Sequence, residues 1–184
     1  MSILTDMDAC VGGRDWADSQ KSYRAAWDAC DRGDWMLWIA QERNIDLKIS
    51  TLARVKCVRL VEHLMIDMWS LRALLAAERF SAGNASLAEL NDAAGTAYAT
   101  YASSAYQQYP FAYADAPYAA DSYAAYAVYA YARAHADVDA SQVVNVTYEA
   151  DAWAYFGPEI LKKCADICRE VIDFDLLKIG DTNE

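Results

Sequence analysis

Residues 118–140 read YAADSYAAYAVYAYARAHADVDA, and how this stretch folds decides the architecture of the chain. Alanine is the strongest helix former and a poor strand former, whereas tyrosine ranks among the strand formers. Spacing arbitrates between them. Tyr123, Tyr126 and Tyr129 lie three apart, as do Tyr98 and Tyr101 upstream, and only Tyr129 and Tyr131 alternate at two. Positions three and four apart share one face of a helix. Ten of the 13 tyrosines fall between Tyr98 and Tyr131, so this spacing predicts helices over about 86–107, 117–136 and 138–156. Pro110 belongs to a loop, and Pro117 suits the first turn of its helix, where a missing N–H costs nothing. Only VVNVTY, residues 143–148, has β-branched strand character.

Downstream, Gly157-Pro158 punctuates the chain before a stripe of Ile160, Leu161, Cys164, Ile167, Cys168, Val171 and Ile172. This predicts a core helix over 158–177. Upstream, Tyr23, Ala26, Trp27 and Cys30 form a stripe in a helix expected from Asp15 to Cys30. Asp31 to Asp34 breaks it, with Asp34 expected as the N-cap of a helix that begins WMLWIAQE. Asn44 to Asp46 ends that helix, and Ser50 or Thr51 is expected to open the next, with Leu52, Val55, Leu60, Leu64 and Met68 as its apolar face. A short break at Asp67 to Ser70 precedes LRALLAAERF, closed at Ser81 to Asn84 by a left-handed Gly or Asn.

The expected fold is all-α: one helical domain over residues 1–184, a bundle of about seven to eight helices at ordinary helix lengths. Its parts are an N-terminal tail (1–14), Trp-rich helices (15–83), Ala/Tyr-rich acidic helices (86–156), the core helix (158–177) and a C-terminal tail (178–184). A chain of 184 residues is sized for one core. With 55% hydrophobic and 23% charged residues, it has the composition of a packed globule and not of a disordered chain.

MSILTDMDAC lacks a basic leader and a long apolar run, and segments such as LVEHLMIDMW are interrupted by charge. Neither a secretory signal nor a membrane span is expected, and the chain reads as cytoplasmic. Five irregularly spaced cysteines (Cys10, Cys30, Cys57, Cys164, Cys168) fit reduced, mostly buried thiols. The sequon Asn145-Val146-Thr147 is then silent.

Net charge is −11 and the isoelectric point is near 4.5, which argues against direct nucleic-acid or anionic-membrane binding and for a basic protein partner. Residues 1–80 hold 12 acids and 11 bases, whereas residues 81–184 hold 15 acids and five bases. Between Leu87 and Pro158, Glu89, Asp92, Asp115, Asp121, Asp137, Asp139, Glu149 and Asp151 face only Arg133.

Few residues offer chemistry. Cys164 and Cys168 share a helical face and could supply two metal ligands, but no second Cys or His pair has matching spacing, so no metal and no cofactor are expected. His63, near Glu62 and Asp67, fits a partly buried, satisfied histidine better than a catalytic one. His135 and Asp137, two apart, point in different directions on a helix. Gly12-Gly13 lacks the lysine of a phosphate loop, and Arg32-Gly33-Asp34 is explained by a turn with an N-cap. No catalytic constellation emerges, and a non-enzymatic role is expected. The acidic, Tyr-rich tract is either an ordinary solvated face or a recognition surface, because tyrosine offers rigid contact area and a negative field steers a basic partner.

Gly33-Asp34-Trp35-Met36-Leu37-Trp38, the following helix with Ala53, Cys57 and Arg59, and Leu74 to Phe80 with Gly83 lead into the long Ala-rich tract and an apolar final helix. This arrangement resembles the immunity protein family of bacterial polymorphic toxin systems over most of residues 25–175. The resemblance implies an all-helical fold and a role in binding and neutralising a cognate toxin. The chain departs from the family in its tyrosines and in the Pro110 to Pro117 loop. The expected contacts on a basic toxin or effector are Asp115, Asp121, Asp137 and Asp139, with Tyr118 and Tyr126. Two other readings stand beside it: a phage-type anti-defence protein that mimics nucleic-acid charge, and a structural protein that buries its tyrosines between identical subunits as a homo-oligomer.

Overall fold

The computed structural model describes residues 3–7, 9–60, 62, 68–96 and 157–180, and among them all regular structure is helical. The helices are α1 (Ile3–Asp6), α2 (Val11–Asp18), α3 (Tyr23–Ala29), α4 (Gly33–Glu42), α5 (Leu47–Arg59) and α6 (Met68–Ser81). A helical stretch, α7, covers 87–96. α8 (Gly157–Val171) and a 3-10 turn (Phe174–Leu177) complete the set. The all-α expectation holds, while 143–148 and the helices expected over 117–136 and 138–156 lie outside the described residues.

α5 organises the packing because it is apolar on two sides. Ala53 and Cys57, four apart, enter a core shared with α1 to α4, α8 and the 3-10 turn. Val55 and Val58 enter a second core with Leu74, Ala77 and Phe80 of α6 and Leu90 and Ala94 of α7. Of the expected apolar face, Val55 is buried, but Leu52 and Met68 are exposed, at 37% and 55%. A helix covered on both sides has no single 3.6-residue stripe, so the largest side chains do not mark the buried face.

Helix ends follow local chemistry, with three departures from the sequence expectation. The stretch from Asp15 to Cys30 is two helices, since Ser22 turns extended and its hydroxyl accepts from the Ala25 amide at 3.1 Å to cap α3. Asp46, not Ser50 or Thr51, caps α5, its carboxylate accepting from the Lys48 and Ile49 amides at 2.8 and 3.3 Å. Asp34 is not the cap of α4. It sits inside the first turn, where Arg32 claims its carboxylate.

α6 ends on a left-handed residue as expected, and α4 does so as well. At the end of α6, Gly83 (φ +78°) directs its amide to the Phe80 carbonyl, and the Asn84 amide reaches the Arg79 carbonyl at 2.7 Å. Both bonds of a Schellman motif are therefore made. Asn44 (φ 49°) does the same for α4, with the Asn44 amide on Gln41 and the Ile45 amide on Ala40. At the start of α7, Ser86 and Glu89 form a reciprocal capping box.

Parts of both expected tails are helical or buried. Within the expected N-terminal tail, α1 and the first turn of α2 are helical, and Leu4 and Ala9 are buried in the first core. The expected 158–177 helix stops at Val171, and Asp173 caps the separate 3-10 turn that buries Phe174 and Leu177. Ile179, expected in a tail, is also buried.

Candidate functional site

α1 to α4 and the C-terminal turn enclose a partly open cavity of about 390 Å³. α1 supplies Leu4, α2 supplies Gly13, Trp16 and Ala17, and α3 supplies Tyr23, Ala26 and Trp27. α4 contributes Asp34 through Ile39, while Phe174, Leu177 and Ile179 close the far side. Four indoles, one phenol and one phenyl ring thus line a single apolar space. Trp16 and Trp35 meet with centroids 6.1 Å apart and planes tilted by 54°, and Trp27 and Phe174 do so at 6.3 Å and 56°. Both are favourable aromatic geometries.

Cross-links hold the walls. The Arg169 guanidinium on α8 donates to the carbonyls of Trp27 (3.2 Å) and Cys30 (2.6 Å), satisfying the free end of α3. Arg43 donates to the Leu177 carbonyl at 2.6 Å, tying the end of α4 to the C-terminal turn. Arg24 pairs with Asp175 and lies 4.6 Å over the Phe174 ring.

Charge at the cavity is neutralised internally. Asp34, 7% exposed, receives a two-pronged hydrogen bond from Arg32 Nε at 2.8 Å and Nη2 at 2.5 Å. This bond raises the Arg32 pKa above its ordinary value, and the same guanidinium lies 4.4 Å over the Trp35 ring. The Cys30 thiol donates to the Arg32 carbonyl, and burial pushes its pKa up to about 11, so it is protonated near neutrality.

Native interiors contain few voids larger than a water molecule. At about 390 Å³ and partly open, this space is far larger than such a void. Its apolar walls offer water few of the polar partners it needs.

Beside the cavity, Cys57, Cys164 and Cys168 are fully buried between α5 and α8. Contact with the Cys164 and then the Cys168 thiol, followed by burial, raises the Cys57 pKa well above its ordinary range. Among the described residues no group of three or more His, Cys, Asp or Glu is placed to hold a metal ion. The Cys164 and Cys168 thiols contribute to the core.

The residues expected to contact a partner, Asp115, Asp121, Asp137, Asp139, Tyr118 and Tyr126, lie outside the described residues, as do His63 and His135. Of the acids in the tract, Glu89 and Asp92 are placed, both on α7. The Ser86 backbone amide, then its hydroxyl, hold the Glu89 pKa below the ordinary carboxylate value, with Arg79 adding a pair at 3.1 Å. The cavity itself was not anticipated. Its signal was the set Trp16, Trp27, Trp35 and Trp38 within 23 residues, too many large rings for one small core to bury edge to edge. Among the described residues no helix is long and apolar enough to cross a membrane. No protein-family model, curated protein or solved structure matches the chain.

Proposed function

We propose that this is a non-enzymatic binding protein of the immunity type, which neutralises a toxin or effector by covering a basic surface with its acidic, Tyr-rich tract. The observation that carries this reading is the partition of charge. The described residues hold 17 acids and 15 bases, and seven of those bases are engaged in ion pairs: Arg24, Arg32, Lys56, Arg59, Arg79, Lys163 and Arg169. Residues 97–156 add six acids and one base. A nearly balanced scaffold beside an uncompensated acidic segment is the distribution that steers a basic partner to one place.

In this reading Asp115, Asp121, Asp137 and Asp139 provide the field, and Tyr118 and Tyr126 provide contact area. Affinity capture with the intact chain from its native host, repeated with the four aspartates changed to asparagine, tests it. The expected result is a basic protein recovered by the native chain and lost from the variant. Equal recovery by both would refute the assignment of these residues.

A further inference from the structure

We propose that the tryptophan-lined cavity is a binding site for one small, uncharged aromatic molecule of about two to three rings. Size comes first. An apolar cavity of about 150 Å³ admits a single benzene, and small-molecule sites run from about 300 to 1,000 Å³. At 390 Å³ the space exceeds one ring and falls at the lower end of the ligand range.

The walls select the chemistry. Trp16 against Trp35 and Trp27 against Phe174 are tilted pairs, so faces and edges are both presented, and a flat aromatic guest can stack on one ring while meeting the edge of another. Aliphatic Leu37 and Ile39 complete the lining without adding a polar group.

Charge excludes an ion. Asp34 is the one carboxylate among the described lining residues, and both of its oxygens are held by Arg32. An anionic ligand would meet Asp34 without a free cation to oppose it, and a cationic one would have to displace Arg32 from Trp35 as well as from Asp34. A neutral ligand disturbs neither contact. The site is also preformed, since Arg169 and Arg43 fix its walls to α8 and to the C-terminal turn, so binding requires little ordering of the protein.

The test is a fluorescence titration of the full chain with N-phenyl-1-naphthylamine, an uncharged aromatic amine. Its anionic relative 8-anilinonaphthalene-1-sulfonate serves as the comparison. Saturable binding of one uncharged probe per chain is expected, at least tenfold tighter than the anion. Ala17→Phe, which projects a ring into the space, should weaken the uncharged probe at least tenfold while far-ultraviolet circular dichroism is unchanged. If that variant fails to fold, Ala26→Leu takes its place with the same expectation.

Absence of saturable binding by the native chain, equal affinity for both probes, or undiminished binding by a folded cavity-filling variant would each overturn the proposal. Asp115, Asp121, Asp137 and Asp139 lie in the other functional segment, so their conversion to Asn should leave probe affinity within twofold. Failure of the toxin-binding reading and failure of this one are therefore separable.

Discussion

A β-carbon added to Gly33 would stand 2.4 Å from the Cβ of Cys164 and 2.7 Å from the Ala165 amide nitrogen. The first turn of α4 lies directly on the backbone of α8, and only the smallest residue permits that approach. Gly33→Ala must therefore separate two helices that meet at the centre of the core. The expected cost exceeds the usual 1–3 kcal/mol of overpacking, because the obstruction is backbone and cannot rotate away. Urea denaturation should show a large fall in midpoint, and Gly33→Ser should be at least as damaging.

Arg32 and Asp34 should respond unequally to truncation. Arg32→Ala leaves a carboxylate 7% exposed without its partner, whereas Asp34→Ala leaves a guanidinium whose side chain is 34% exposed and can be hydrated. A buried group that loses its partner bears most of its desolvation cost. Arg32→Ala is expected to destabilise by about 2–4 kcal/mol and Asp34→Ala by about 1–2 kcal/mol, discounted for partial solvation. Denaturation of both variants and the double mutant checks the order.

Alkali should destabilise the fold before it titrates the unfolded chain fully. Burial raises the Cys30 pKa from 9.0 to about 11, so between these values the folded protein keeps a proton that the unfolded chain releases. Stability is whole below pH 9 and is lost as pH rises through 11, by up to about 3 kcal/mol. Cys57, also raised, acts in the same direction. Denaturation midpoints measured from pH 8 to pH 10.5 should decline, and Cys30→Ala should flatten the decline.

Thiol chemistry gives a direct count. Cys10 is exposed, and Cys30, Cys57, Cys164 and Cys168 are buried and free. Under native conditions a disulfide reagent such as Ellman's should modify Cys10 rapidly and the other four only at the rate of opening. In denaturant all five should react. Two or more fast thiols in the native protein would contradict the buried cluster.

The α7 capping box predicts an acid effect. Because the Glu89 pKa is held below its ordinary 4.5 by Ser86 and Arg79, its contribution is present above that value and is lost as pH falls through the lowered one. Protection factors against amide exchange near residues 87–90 should fall below pH 4.5 more than those in α8. Ser86→Ala should cost about 1 kcal/mol at neutral pH and remove most of that local acid sensitivity.

Much of the local structure was legible in the residues. The Leu161, Cys164, Cys168, Ile172 stripe, the left-handed stop at Gly83 and the start at Ser86 depend on neighbours within a few positions, and such rules act through hydrogen bonds and a 3.6-residue turn that the chain carries with it. The errors have two physical origins, tertiary packing and competition between local partners. The expectation that Leu52 faces a core assumed one buried side, and α5 has two. Asp34 was expected to cap, but its carboxylate is taken by the neighbouring Arg32 side chain two residues earlier. Ser50 and Thr51 were expected as helix starters, and the stronger acceptor Asp46 took that place.

The candidate sites divide in the same way. Charge is additive along the chain, so the concentration of acid beyond Leu87 is a property of the amino-acid sequence alone. Helical character in the described residues was also determined there, by spacing, caps and breakers. Only the tertiary structure decided that four tryptophans from α2, α3 and α4 surround one space and that Gly33 must be glycine. The reason is physical: a cavity and a close helix approach are relations between surfaces distant in the chain. Local hydrogen-bonding preferences carry no information about which faces will meet.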